Sequence, residues 1–188
     1  WQALQEYLLG DADWGRRATD ILLGPERTIH DWAGGIFFGW VSWGFVDEKG
    51  DRGVDRWIRA CRDSMGAAER QWVDVLRNAW LSLFRVSAVK LDTGLELEDI
   101  LDGKRLFVRE RSGTHQMYEG QVILGWIATF PEHNELTGAM LDVPASLAGE
   151  AERTLRSAGG LEPGRDISPA DRTRMAAGIP AILKEVMT

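Results

Sequence analysis

The hydrophobic repeat of this chain changes its period once, near Leu83, and that change constrains the fold more than any other feature. Over residues 1 to 82 apolar side chains recur at spacings of three and four, the signature of one helical face. Trp32, Ile36, Trp40 and Trp43 share one such face and Phe37, Val41 and Phe45 the next. A helix apolar over that much of its circumference belongs in the middle of a helical layer. The charged, glycine-bearing run Asp47 to Gly53 then reads as an exposed turn, and Val54 to Arg62 and Ala67 to Ser82 as two more helices. The stripe Trp72, Val75, Leu76, Ala79, Trp80 and Leu83 is the expected buried side of the last helix. That helix should run straight into the first strand, burying Trp80, Leu83 and Phe84 at the junction.

From Phe84 the period is two. Strands are expected at about Leu83 to Leu91, Leu95 to Leu101, Arg105 to Arg111, Gln121 to Phe130 and Leu136 to Val143. Asp92-Thr93-Gly94, Asp102-Gly103 and Pro131 to Asn134 supply hairpin turn chemistry, so the strands are expected to form an antiparallel meander. Five strands in about 60 residues close most readily into an SH3-like or OB-like barrel, because closure removes exposed edges. After Pro144 the helical period returns. Glu150 to Ala158 precedes glycine and proline breaks at Gly159-Gly160 and Pro163-Gly164. Ser168-Pro169-Ala170-Asp171 then has the form of a helix start leading towards Met175, Ile179 and Leu183, with Pro180 expected to kink or end that helix. The fold class is therefore α+β: a helical segment over 1–82, a five-stranded antiparallel small barrel over 83–143, and C-terminal helices over 144–188 packed on the same unit.

Charge narrows the partners. The chain carries a net charge of -7, which opposes phosphate backbones and anionic membranes. Between Leu83 and Val143 six basic residues face ten acidic ones. The candidate membrane stretch, the uncharged Trp32 to Val46, is 15 residues long, short of the roughly 18 to 20 that span a bilayer. Its Gly35 and Gly39 form a GxxxG spacing, expected here to let two soluble helices approach closely. With Cys61 as the single cysteine no internal disulfide can form, which fits a cytoplasmic setting. A chain that opens on Trp1 rather than Met is expected to be part of a longer protein.

No spacing of catalytic or metal-ligating groups stands out. His30, His115 and His133 fall in three different elements without an HxxxH or CxxC companion, and His133 in the turn PEHN reads as solvated. Cys61 reads as structural. Glu96, Glu98 and Asp99 read as the outer face of a strand whose leucines point inward. Walker A, GxSxG, HExxH and Rossmann signatures are absent from the sequence. The candidate partner-binding residues are Arg105, Arg109, Arg111, Ser112, His115, Tyr118 and Trp126. The arginines with Tyr118 or Trp126 would make a stacking platform for nucleic acid, and Ser112 with His115 would need a carboxylate to become a catalytic pair.

Between Val41 and Pro144 the segments WVSWGFVDEKGDRGVDRWI, AERQWVDVLRNAWLSLFRVSAV, LELEDILDGKRLFVRERSGTH and YEGQVILGWI carry a resemblance. In their turns and core positions they resemble a bacterial family of SEC-C-associated proteins, in which a zinc-binding element accompanies a small barrel. Gly94-Leu95, Asp99 to Gly103, Val108 with Glu110 and Ser112, and Glu119-Gly120 before Val122 stand where the family has its hairpin and turn residues. Gln121 replaces the usual turn acid, and the zinc ligands are absent from these residues, so either a zinc site lies in another part of the parent protein or this relative lacks it, and no cofactor is expected in this chain. The resemblance defines no functional residues. The expected function is a non-catalytic protein-interaction or scaffold module of a larger bacterial intracellular protein. A nucleic-acid-binding barrel is the alternative, and an enzyme using Ser112 and His115 a second one. Nine tryptophans supply material for interface anchors.

Overall fold

The structure, a computed structural model, describes residues 2–24, 33–162 and 166–187. His30, Trp32 and the Pro163-Gly164 break lie outside the described residues. The N-terminal layer consists of α1 (Gln2–Gly10), α2 (Ala12–Leu23), α3 (Gly34–Gly39), α4 (Gly53–Cys61) and α5 (Ala67–Arg77). α3 continues into a π-helical turn, Trp40–Gly44, that closes where the Phe45 amide donates to the Trp40 carbonyl at 2.7 Å. The expected turn at Asp47 is held by its own carboxylate, which accepts from the amides of Lys49 and Asp51, both at 2.9 Å.

The five strands are β1 (Trp80–Lys90), β2 (Gly94–Asp99), β3 (Arg105–Arg109), β4 (Val122–Thr129) and β5 (Asn134–Val143). They form a closed barrel, but not the expected meander. The order is β1-β2-β3-β5-β4, with β4 returning to pair with β1 and a short parallel contact at Val108 and Asn134 joining β3 to β5. Of the two small barrels expected, this order is the OB-like one. The reason lies in β4. Its sequence VILGWIAT is almost continuously apolar and is buried on both faces down to Ala128, so it must sit between the barrel interior and the helical layer rather than at a solvated edge.

Two apolar clusters follow. Phe84, Val86, Leu95, Leu97, Val108, Ile123 and Ile127 fill the barrel interior. Leu81, Leu83, Leu124, Trp126 and Leu141 point out of the same sheet into a larger core shared with helices from both ends of the chain, including Leu4, Trp14, Trp43, Leu155 and Ile179. α6 (Ala148–Gly159) ends on Gly160, whose φ of 64° is the left-handed helix stop that glycine adopts without penalty. α7 (Pro169–Met175) opens with Ser168 and Asp171 capping each other, as the sequence predicts. α8 (Ile179–Met187) has Pro180 in its first turn, so this proline starts a helix instead of kinking or ending one. Among the described residues no helix is long and apolar enough to cross a membrane.

Two further expectations change. α5 stops at Arg77, four residues before Leu81, and its buried positions are Val73 and Leu76, while Trp72 is 40% exposed. Asn78 and Ala79 close the helix with short-turn bonds to Val75 and Leu76, and from Trp80 onward the chain pairs with β4, starting at Ile127. Leu83 and Phe84 are fully buried at the junction as expected, but Trp80 belongs to the strand and is only partly buried. The GxxxG glycines do not bring two helices together. They seat α3 on the sheet: a Cβ at Gly39 would stand 2.5 Å from the Trp126 ring, and one at Gly35 would stand 2.9 Å from the Gly138 carbonyl.

Candidate functional site at the barrel mouth

The end of the barrel formed by the starts of β1, β3 and β5 opens into a cleft of about 760 Å³ between the sheet, α5 and α7. Trp80, Leu106 and Ile167 line it, with the buried Trp43 and Trp126 beneath them. The Trp126 and Trp43 rings lie 5.9 Å apart, and Trp126 is only 2% exposed, so it is floor rather than platform. The Trp80 indole is held by a bond from Nε1 to the Thr129 hydroxyl at 3.1 Å and by packing against Phe84.

Over the Trp80 ring, 4.4 Å from its centroid, lies the Arg172 guanidinium, brought in by the first turns of α7. It donates to the Leu81 carbonyl at 3.1 Å, to Asp99 Oδ2 at 2.9 Å and to Asp102 Oδ2 at 3.0 Å. Asp99 is 1% exposed, and its other oxygen accepts from the Ser82 hydroxyl at 2.6 Å and the Leu101 amide at 2.9 Å. Asp99 therefore does not belong to the solvated acidic face with Glu96 and Glu98. It turns into the barrel end, where each oxygen is satisfied. Lys104, at the rim, takes up Asp102 at 3.1 Å.

The cleft is cationic in an acidic chain. Arg52, Arg77, Lys104, Arg105 and Arg172 line it against the carboxylates of Asp99 and Asp102, and with Asp55 behind Arg52 and Arg77 the surplus is two positive charges. Behind the rim Asp55 accepts from Arg52 Nε at 2.7 Å and from Arg77 Nε at 2.8 Å. Burial pushes the Asp55 carboxyl up, but the hydrogen bonds and charges of Arg52 and Arg77 outweigh it and hold the group below the usual carboxylate range. The Arg105 side chain makes no hydrogen bond or ion pair among the described residues, but it stands directly across from Glu98 on β2, and after Lys90 its charge helps hold the Glu96 carboxyl below the usual carboxylate range. The acceptors here are saturated, whereas the donors are in surplus.

The residues singled out from sequence do not form one site. Arg105 and Trp126 line the mouth. Arg109 projects outward from β3 on the same side as Arg105 and Phe107, the side on which Glu96 and Glu98 stand on β2. Lys90 lies over the Phe107 ring at 5.3 Å and pairs with Glu96 at 2.7 Å, leaving that face neutralised. Arg111, Ser112, His115 and Tyr118 belong to the far end of the barrel. There His115 Nε2 lies 2.8 Å from Asp92 Oδ1 and Arg111 approaches the same oxygen at 3.9 Å. The carboxylate that a serine and histidine pair would need is thus present, but no hydrogen bond joins the Ser112 hydroxyl to the imidazole among the described residues, and the His115 and Asp92 side chains are each 54% exposed. Tyr118 is 62% exposed and lies apart from Trp126. No group of three or more metal-ligating side chains occurs among the described residues.

The sequence reading passed over Arg172, Asp102 and Arg77. Only Asp102 carried a local signal, as a turn residue beside Gly103. Comparisons with protein-family models, with curated proteins and with solved structures give no match.

Proposed function

We propose that the chain is a non-catalytic interaction module of a larger bacterial cytoplasmic protein, and that the barrel mouth is where its partner docks. The observation that carries this reading is the open cleft of about 760 Å³ lined by Trp80 and Leu106 over a floor of Trp43 and Trp126, with more cations than carboxylates among its lining residues. Large rigid side chains around a partly desolvated hollow are the material of binding hot spots. The acids at the mouth support a binding role over a catalytic one. Asp99 has its oxygens committed to Ser82, Leu101 and Arg172, and Asp102 is shared by Arg172 and Lys104, so neither offers a free base to a substrate. The single cysteine, Cys61, unpaired and partly buried, supports the cytoplasmic setting.

A photo-crosslinking side chain placed at Lys104, on the cleft rim, tests the reading against the same group at Trp72 on the outer face of α5. Irradiation in bacterial extract is expected to join one protein to the chain in stoichiometric yield from position 104 and not from 72. Equal labelling from both positions, or turnover of a substrate by the purified chain, would contradict it.

A further inference from the structure

Hydrogen-bond accounting at the mouth goes one step further than a docking site. Every carboxylate oxygen there is taken, but the cationic donors are not. The Arg105 guanidinium has five N–H groups and none is hydrogen-bonded among the described residues, its nearest acids being the exposed-face Glu96 and Glu98 of β2, and Arg77 uses only Nε on Asp55, leaving its terminal nitrogens without an acceptor among those residues. A ligand entering this cleft meets donors that need acceptors, beside the half-buried apolar surfaces of Trp80 and Leu106.

Resting on the interaction reading above, we infer that the segment docked at the mouth is a short acidic peptide stretch with a large apolar side chain between its carboxylates. The apolar residue covers Trp80 and Leu106, and the flanking carboxylates pair with Arg105 and Arg77, whose planar forks suit bidentate capture of carboxylate. A polynucleotide fits less well, because a backbone leaving Arg105 across β3 meets Glu96 and Glu98 on β2, and the whole chain carries -7. An acidic segment a few residues long keeps its charge over the cationic patch and escapes that repulsion.

Anisotropy titrations use a fluorescein-labelled Glu-Asp-Trp-Leu-Asp-Glu peptide, its Lys-for-acid counterpart and a labelled oligo-dT of equal charge, against the full chain and the variants Arg105→Gln, Arg105→Lys and Arg109→Gln. The acidic peptide is expected to bind, and R105Q to weaken it about tenfold, while R105K keeps part of the affinity. R109Q removes the same charge outside the cleft and is expected to leave binding within about twofold. Raising salt from about 50 to 300 mM should weaken the acidic peptide and not create binding of the basic one. Equal losses in R105Q and R109Q, equal binding of acidic and basic peptides, or tighter Arg105-dependent binding of oligo-dT would each overturn the inference. No peptide binding alongside position-104 crosslinking overturns the acidic segment and leaves the module standing. Peptide binding without any crosslinked protein does the reverse.

Discussion

Replacing Arg172 by methionine removes the one cation that α7 drives into the barrel end, and the structure allows the cost to be worked out. The variant keeps an unbranched apolar stem over Trp80 but deletes three hydrogen bonds, to the Leu81 carbonyl, Asp99 and Asp102. Asp102 retains Lys104 at the rim. Asp99 does not have that relief: at 1% exposure it keeps only the Ser82 hydroxyl and the Leu101 amide. Leaving one partner of such a pair buried and uncompensated costs about 3 to 5 kcal/mol. For a chain of this size that corresponds to a fall of roughly 6 to 20 °C in melting temperature. Urea unfolding followed by tryptophan fluorescence should show the midpoint falling with an unchanged slope. Adding Asp99→Asn to Arg172→Met removes the stranded charge, so the double variant should be more stable than the sum of the single losses by about 2 kcal/mol. A loss below about 0.5 kcal/mol in R172M, or strict additivity in the double variant, would refute the view that Arg172 neutralises a buried acid there.

Gly39→Ala should destabilise the fold by about 1 to 3 kcal/mol, because the added methyl meets both the Trp126 ring and Ala139 beneath α3; thermal melts of G39A and of the exposed control Gly10→Ala check this. Asp55 has its folded-state pKa depressed, so its contribution to stability is present above the ordinary carboxylate range near pH 4 and is lost as pH falls through the folded value. Urea midpoints measured from pH 6 down to 2 should therefore fall less steeply in Asp55→Asn than in the wild type, and identical slopes would remove this assignment. Leu83→Ala, at a fully buried position where β1 meets the helical core, should cost about 2 to 5 kcal/mol and shift far-UV and near-UV circular dichroism transitions together; transitions that separate would show that helices and barrel unfold independently.

What could be read in the sequence was what depends on neighbours along the chain. The alternation in Phe84, Val86, Leu95 and Leu97 marks strands and their inward faces, and the serine, proline and aspartate at Ser168 to Asp171 mark a helix start, because both signals are local. The strand order was not legible, since the parallel contact of Val108 with Asn134 depends on where the long-range core places β4. The end of α5 differs from the helical spacing for a similar reason. Trp80 continues the helical spacing, but pairing of β1 with β4 outcompetes it, which exposes Trp72 and buries Val73 instead. At the site, Arg105 stands out as a cation beside the Asp102-Gly103 turn and Trp126 as an aromatic within a strand. The acids that decide the electrostatics do not, because Arg172 reaches Asp99 across 73 positions and Leu81 across 91, distances over which one sequence carries no pairing signal. Asp99 itself looked like a surface acid because Glu96 and Glu98 beside it are ones.

The central claim is that the barrel mouth, rather than the outer face of β3 or the His115 end, receives the partner. Indole N–H resonances of the uniformly 15N-labelled chain report on this directly, since Trp80 lines the mouth and Trp72 lies on the outer side of α5. On titration with the acidic, tryptophan-containing peptide left unlabelled, the Trp80 resonance is expected to shift progressively, with the backbone amides of Arg105 and Leu106 moving alongside it and Trp72 unmoved. Shifts confined to Phe107 and Arg109, to the segment from Ser112 to Tyr118, or to Trp72, with Trp80 unchanged, would contradict the account.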